Sequence, residues 1–191
     1  MKAKRVRESL YEFERGLDPK RALGISRRAK IEEWFEEYAP DAQYEIRDDF
    51  SIFVKGSLNC QHNNLTSLPE GLTVGLNLYC QNNQLTSLPE GLTVGVNLYC
   101  HYNQLTSLPK YLTVKGSLNC QHNNLTSLPE GLTVGLNLYC QNNQLTSLPE
   151  GLTVGVNLYC HYNQLTSLPK YLTVKGSLNC QHNNLTSLPE G

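Results

Sequence analysis

The chain has 191 residues, and its formal net charge is −1. Residues 56–191 hold only four of the 16 basic side chains and five of the 17 acidic ones, so this part is nearly uncharged. The absence of a basic stripe argues against nucleic-acid binding. No apolar run reaches the roughly 18 residues that a membrane span needs, and the N-terminus lacks the apolar segment of a secretory signal. We therefore expect a cytoplasmic protein with one domain, or a domain plus a cap.

The first part of the chain predicts helices. Apolar residues recur at helical spacing from Val6 to Leu17, which predicts a first helix. Asp18 followed by Pro19 is typical of a helix start, with an N-cap residue and then proline at the first helical position. Ser26 is predicted to cap the main helix of this segment.

The main predicted helix is amphipathic and is followed by two strands. Its apolar stripe contains Trp34 and Phe35, and Pro40 is predicted to end it. Residues 44–46 and 50–54 alternate between apolar and polar side chains, which predicts strands joined by a turn at residues 48–49. A solenoid exposes its first coil unless a cap covers it. We therefore interpret residues 1–51 as a helical N-terminal cap.

The rest of the chain is repetitive. Residues 56–115 and 116–175 are identical, and each of these sixty-residue modules contains three versions of one twenty-residue unit. A fixed period of about 20–50 residues is typical of solenoids. Natural repeats drift, so this identity indicates either a very recent duplication or an engineered consensus array. We expect the engineered array, which would be produced in a bacterial cytoplasm.

Each unit predicts one short parallel strand. Val74, Leu76, Leu78 and Cys80 alternate with polar or small residues, as strand residues do. An Asn-rich corner follows, and Pro89 prevents the next segment from continuing as a helix. One coil buries too little apolar surface to be stable alone, so the coils must stack.

The unit also resembles a known family. Its pattern Leu-x-Cys-x-x-Asn-x-Leu-x-x-Leu-Pro resembles the leucine-rich repeat, and its length resembles the short class found in bacterial secreted effectors. The resemblance covers residues 52–191 as seven units. It implies an α/β solenoid that coils right-handedly, with a helical N-terminal cap. The sequence departs from the family pattern three residues before the first strand leucine, where it has Gly or Lys instead of Leu. Secretion like that of the effectors stays open as an alternative location.

Two buried columns are expected. The resemblance implies an Asn ladder that satisfies backbone groups at the corner: Asn63, Asn83, Asn103, Asn123, Asn143, Asn163 and Asn183. The twenty-residue spacing predicts a column of cysteines that act as small buried hydrophobes: Cys60, Cys80, Cys100, Cys120, Cys140, Cys160 and Cys180. Soft-metal or thiol chemistry at the ends of this column stays open. A straight column does not converge as a zinc site requires, so we expect no metal and no cofactor.

The outward strand positions form the predicted concave binding face. Its candidate binding residues are Tyr79, Gln81, Tyr99, His101, Tyr139, Gln141, Tyr159 and His161. Tyr with Asn and Gln is a composition that adaptable binding surfaces use. A neighbouring position alternates between Gly and an apolar residue, and the sequence leaves open whether these side chains point into the core or outward: Leu76, Val96, Leu136 and Val156.

No enzyme signature is present, because the sequence has no Ser/His/acid set and no glycine-rich phosphate loop. We predict a non-catalytic repeat scaffold. The chain ends in the same phase as every internal unit, so we expect an uncapped C-terminal coil that associates with a second copy as a homodimer. The alternative is a module that binds a protein or peptide on the concave face, as effector-like repeats do.

Overall fold

A computed structural model of the chain describes residues 19–188. The helix predicted between Val6 and Leu17 lies outside the described residues. Helix α1 spans Pro19–Tyr38 and starts at the predicted proline. The helix continues through Ser26, so the prediction of a separate helix capped there was wrong. Good helix formers such as Ala, Arg and Lys surround Ser26, and one serine does not stop a helix among them.

Helix α1 closes the first end of the core. Ile31, Phe35 and Ala39 are buried on the side that faces the coils. The ring of Phe35 stacks on that of Tyr44, with centroids 3.9 Å apart. The Arg28 guanidinium donates a hydrogen bond to the Ile46 carbonyl oxygen at 3.0 Å. The helix therefore covers the apolar end that the solenoid would otherwise expose.

An antiparallel strand pair connects the helix to the coils, as predicted. Strand β1 (Tyr44–Ile46) pairs with β2 (Ile52–Val54). In the turn between them, the Ser51 backbone N–H and hydroxyl both donate to Asp49 Oδ1, at 2.9 and 2.7 Å. These two bonds are typical of an Asx turn, in which an aspartate side chain holds the backbone two residues on.

Six complete coils and a seventh, described to residue 188, follow from residue 52. An eight-stranded first sheet contains β1, β2 and one strand from each later coil: β4 (Leu72–Val74), β6 (Thr93–Val94), β8 (Thr113–Val114), β10 (Thr133–Val134), β12 (Thr153–Val154) and β14 (Thr173–Val174). A seven-stranded second sheet contains β3 (Leu58–Asn59), β5 (Leu78–Tyr79), β7 (Leu98–Tyr99), β9 (Leu118–Asn119), β11 (Leu138–Tyr139), β13 (Leu158–Tyr159) and β15 (Leu178–Asn179).

The predicted fold class, a solenoid of parallel strands twenty residues apart behind an N-terminal helix, is confirmed. The strand of each unit is nevertheless divided in two by a bend. At this bend the Gly95 backbone N–H donates to Val74 O at 2.8 Å. A Cβ on Gly95 would lie only 2.0 Å from Gly75 O, so the close approach of the two coils requires glycine here.

The core consists of apolar columns that run along the solenoid. In the second coil Leu72, Val74, Leu78, Cys80 and Leu85 are all at least 99% buried, and the same positions are buried in the coils that follow it up to the sixth. Each fully buried Leu or Val contributes roughly 1.5–3 kcal/mol of hydrophobic stabilisation relative to an exposed one. Stacking therefore stabilises every coil through its two neighbours.

The asparagines at the corner bridge consecutive coils. Asn83 Oδ1 accepts the backbone N–H of Leu65 in the preceding coil at 3.0 Å. Its Nδ2 donates to Cys60 O in the preceding coil and to Cys80 O in its own, at 2.9 and 3.0 Å. The same bonds recur at Asn103, Asn123, Asn143, Asn163 and Asn183.

The first asparagine of this ladder contacts the cap. Asn63 Nδ2 donates to the carbonyl oxygen of Tyr38, the last residue of α1, at 3.5 Å. The end of the helix thus takes the place of a preceding coil. Between residues 19 and 188, no helix is long and apolar enough to cross a membrane.

Candidate functional site

The second-sheet face is the outward side of the seven-stranded sheet, and it holds the predicted binding residues. It consists of three columns, which start at Ser57, Asn59 and Gln61 and repeat every twenty residues. The side chains of these columns alternate with the buried Leu and Cys side chains of the same strands. In the second to sixth coils they are half-buried or buried, because each packs against its equivalents in the coils above and below.

Two pairs of stacked tyrosines dominate this face. The rings of Tyr79 and Tyr99 lie 5.1 Å apart with an interplanar angle of 2°. The rings of Tyr139 and Tyr159 lie 4.9 Å apart, also at 2°. The in-register parallel pairing of their strands sets this geometry. Asn119 occupies the same column between the two pairs, so the tyrosines form two separate aromatic patches.

The column next to the tyrosines contains glutamines and histidines. Gln81 Nε2 donates to Gln61 Oε1, and Gln141 repeats this bond with Gln121. The remaining oxygens, Gln81 Oε1 and Gln141 Oε1, are buried without a hydrogen-bond partner among residues 19–188.

The two histidines of this column also carry buried, unpaired atoms. Within the described chain no partner reaches His101 Nδ1 or His161 Nδ1. Burial lowers the pKa of His101, and the neighbouring His122 lowers it further. Burial lowers the pKa of His161 in the same way, with His182 as its second cause. Both imidazoles are therefore held toward the neutral form.

The first column of the face is a polar ladder. Asn97 donates from its backbone N–H and its Nδ2 to Asn77 Oδ1, at 3.1 and 3.0 Å. The Ser117 backbone N–H then donates to Asn97 Oδ1 at 2.7 Å. Every side chain of these three columns is formally uncharged when histidine is neutral.

A fourth column at the corner was missed by sequence reasoning. Its members all adopt a positive φ without being glycine: His62, Asn82, Tyr102, His122, Asn142, Tyr162 and His182. Tyr102 stacks on His122 at 4.4 Å, and its ring lies 5.5 Å from that of His101. Tyr162 stacks on His182 at 4.3 Å. The asparagines of this column could have predicted its positive φ from the sequence, because Asn tolerates the left-handed backbone conformation.

The structure settles the direction of the apolar residues at the bend. Leu76 and Leu136 are 48% and 45% exposed, so they point outward and do not fill the core. Val96 and Val156 are half-buried at the same position. Their outward direction follows from the bend, because the residue after the bend glycine leaves the strand alternation.

The cysteine column is buried and poorly suited to thiol chemistry. Its first six members are fully buried and only Cys180 is partly exposed; all seven are free thiols. Burial raises the pKa of Cys120 to about 12, so its thiolate form is scarce. Cys80 Sγ donates to Tyr99 O at 3.4 Å. Within residues 19–188, no group of three or more His, Cys, Asp or Glu side chains is placed to hold a metal ion.

Comparisons with known proteins bear on the fold. No protein-family model and no curated sequence matches the chain. Among solved structures, YopM from Yersinia enterocolitica is similar over 100% of this chain and 44% of its own, with 23% identity and a TM-score of 0.52. The leucine-rich-repeat domain of a Shigella effector is similar over 95% of this chain and 86% of its own, with 24% identity and a TM-score of 0.50.

These two similarities confirm the predicted resemblance to effector-like leucine-rich repeats at the level of the fold. This chain spans less than half the length of the Yersinia enterocolitica protein. At identities below 25%, the similarity does not carry over the binding properties of either protein.

The two half-buried histidines, His101 and His161, predict a loss of stability in acid. Their folded-state pKa lies below the unfolded value of about 6.5, so the unfolded chain binds protons that the folded chain does not. The free energy of unfolding should therefore fall as the pH drops through about 6.5. Denaturant titrations between pH 7.5 and 5 measure this decrease.

A double variant tests whether His101 and His161 cause this loss of stability in acid. His101→Gln with His161→Gln installs the residue that most coils carry in this column, and it should flatten the pH dependence. His62→Asn removes a histidine from the corner column and keeps His101 and His161, so it should retain the loss they cause. An equal pH dependence in the wild type and the double variant would contradict the assignment.

Proposed function

We propose that the chain is a non-catalytic repeat scaffold that binds a protein or peptide through the second-sheet face. The observation that carries this proposal is the pair of stacked tyrosine patches, Tyr79 with Tyr99 and Tyr139 with Tyr159. Rigid aromatic side chains supply large contact areas at a low cost in conformational entropy. Stacking between coils already fixes these rings, which reduces the ordering cost of binding.

The polar neighbours of the tyrosines support the same function. Asn, Gln and Ser side chains offer adaptable hydrogen bonds beside the aromatic patches. The face carries no formal charge, which disfavours a highly charged partner such as nucleic acid. The exposed Leu76 and Leu136 add apolar surface near the two patches.

Repetition makes the face bivalent. The patches are three coils apart, which corresponds to roughly 14 Å at the usual spacing of paired strands. A partner that contacts both patches would gain affinity from their linkage.

The identity of the two sixty-residue modules also supports an engineered consensus origin. A natural coding sequence with the same modules would contradict that origin.

Removing one tyrosine from each patch tests the binding proposal. Peptide ligands are first selected from a display library against the wild-type chain, and their Kd values are then measured. Tyr99→Ala with Tyr159→Ala should weaken the selected ligands by about tenfold or more, as loss of an aromatic anchor does. The fold should be retained, because both rings are only half-buried on the outward face of the sheet.

The matched control uses tyrosines outside the face. Tyr111 and Tyr171 are 68% and 66% exposed, and they also recur at a sixty-residue spacing. Tyr111→Ala with Tyr171→Ala should leave the Kd unchanged. Equal affinity for the wild type and for the Tyr99 and Tyr159 double variant would rule out this face as the binding surface.

Self-association is the second candidate function. In the seventh coil Leu178 is 38% exposed and Cys180 is partly exposed, whereas their equivalents in the earlier coils are fully buried. No described strand pairs with the outer edge of β14 or β15. Within the described residues, this partly exposed apolar surface and the two unpaired strand edges favour two-fold pairing with a second copy as a homodimer.

Light scattering of the 191-residue chain across a hundredfold concentration range tests this candidate. The mass should rise toward that of a dimer and should not respond to reductant, because the contact is apolar. Leu178→Glu should shift the chain to monomer, whereas Leu136→Glu, on the side of the solenoid, should not. A monomer at every concentration would contradict self-association.

A further inference from the structure

Two segments of identical sequence have different neighbours in this solenoid. Residues 56–62 of the first coil repeat as residues 116–122 of the fourth coil. On the fourth coil, the segment 96–102 lies along the side that faces the N-terminus. On the first coil, that side faces the cap.

The segment 96–102 forms a regular ladder on the fourth coil. The backbone N–H groups of Leu98, Cys100 and Tyr102 donate to the carbonyl oxygens of Ser117, Asn119 and Gln121, at 2.9, 2.9 and 3.2 Å. The Ser117 N–H donates back to Asn97 Oδ1 at 2.7 Å. Tyr102 also stacks on the ring of His122.

On the first coil the cap replaces only part of what the segment 96–102 and the residues before it contribute on the fourth coil. Lys55 N donates to Gln43 O at 3.1 Å, just as Lys115 N donates to Val94 O at 3.3 Å in the fourth coil. At the corner, Tyr38 O of the cap accepts from Asn63 Nδ2 at 3.5 Å, where Cys100 O accepts from Asn123 Nδ2 on the fourth coil. Between these two bonds the correspondence ends. Among residues 19–188, no backbone donor reaches the carbonyl oxygens of Ser57, Asn59 or Gln61.

The space beside this edge is also open. A Cβ built on Gly116 would lie 2.5 Å from Asn97 Oδ1, whereas no heavy atom of residues 19–188 lies within 4 Å of a Cβ built on Gly56. A cavity of about 190 Å³ separates residues 39–42 of the cap from Ser57 and Asn59. The edge of β3 therefore presents acceptors and room at the same place.

We propose that the open edge of β3 binds an extended peptide, which adds to the second sheet as a parallel strand. The backbone of the peptide takes the place that residues 96–102 occupy on the fourth coil. Edge strands bind peptides in this way through main-chain hydrogen bonds, while side-chain pockets give specificity. The occupant is thus a segment of another polypeptide and not a small molecule or a nucleic acid.

The surroundings define the side chains that such a peptide carries. Its inward side faces Ala39 and Ala42 of the cap instead of an open core, so small residues fit there. An asparagine can accept the Ser57 N–H, as Asn97 accepts that of Ser117. An aromatic residue near its C-terminal end can stack on His62, as Tyr102 stacks on His122.

A synthetic probe follows from these requirements. The peptide Gly-Val-Asn-Ala-Tyr-Ala-His-Tyr-Asn-Gln copies residues 95–104, with alanine at its positions 4 and 6. Labelled with fluorescein, it is titrated with the full chain and followed by fluorescence anisotropy. We expect saturable binding. A scrambled peptide of the same composition should not bind in the same concentration range.

N-methylation of the peptide tests which of its backbone N–H groups donate hydrogen bonds to β3. Methyl groups at peptide positions 4, 6 and 8 block the N–H groups that correspond to Leu98, Cys100 and Tyr102. This should weaken binding at least about tenfold, since three hydrogen bonds are lost. Methyl groups at positions 3, 5 and 7 lie on the opposite edge of the added strand, so they should leave the Kd within about threefold of the parent peptide.

A protein variant locates the site independently. Asn59→Pro removes the N–H of Asn59 and places a ring at the outer edge of β3. The parallel register turns this N–H away from the second coil, so the ladder between the coils keeps its bonds. The variant should retain its melting temperature and bind the probe at least about tenfold more weakly.

Three results would overturn the proposal. The first is no saturable binding up to about 1 mM, and the second is an equal loss from both methylation patterns. The third is the reversed pattern, in which methyl groups at positions 3, 5 and 7 abolish binding. That pattern would place the peptide on the outer edge of β15, where a parallel strand donates from the alternate residues.

Discussion

The rest of this structure depends on the side-chain amide that joins each coil to the one before it. Asn123 accepts the Leu105 N–H at 2.9 Å and donates to Cys100 O and Cys120 O at 3.1 Å. These backbone groups lie at the corner where the strand ends, so the sheet ladder does not satisfy them. A buried backbone group without a partner costs about 1–3 kcal/mol. One asparagine per coil removes this cost and fixes the height and rotation of the next coil.

A fixed register turns repetition in the sequence into columns in space. Every position of the unit lies directly above its equivalent twenty residues earlier, so the choice of residue type at one phase decides a whole surface. Tyrosine at positions 79 and 99 becomes a stacked pair, and Cys at the next inward phase becomes a buried column. The same register leaves a defined set of backbone acceptors at the first edge of the second sheet. The candidate surfaces are therefore consequences of the stacking and need no irregular loops.

The fold could be predicted from the sequence, because a twenty-residue period with Leu, Cys and Asn at constant phases allows few arrangements. The outward Tyr, Gln and His columns followed from strand alternation. The bend was not predictable in this way, because the sequence left open whether Leu76 points into the core or outward. In the structure the chain bends after Gly75, and Leu76 is exposed. Nor was the corner column foreseen, since Tyr102 adopts a positive φ that its residue type does not favour. The open edge of β3 depends on where the cap chain runs, which no periodicity encodes.

The central claim is that the buried amides, rather than the leucines alone, hold the coils in register. The most direct test is the free energy of unfolding of Asn123→Ala beside that of Asn124→Ala, measured by denaturant titration. Asn123 is buried with its amide bonded to two coils, whereas its neighbour Asn124 is exposed and bonds to Leu105 O only through its backbone N–H. The account predicts a loss of about 2–4 kcal/mol for the first variant and less than about 0.5 kcal/mol for the second. An equal, small loss in both variants would contradict it.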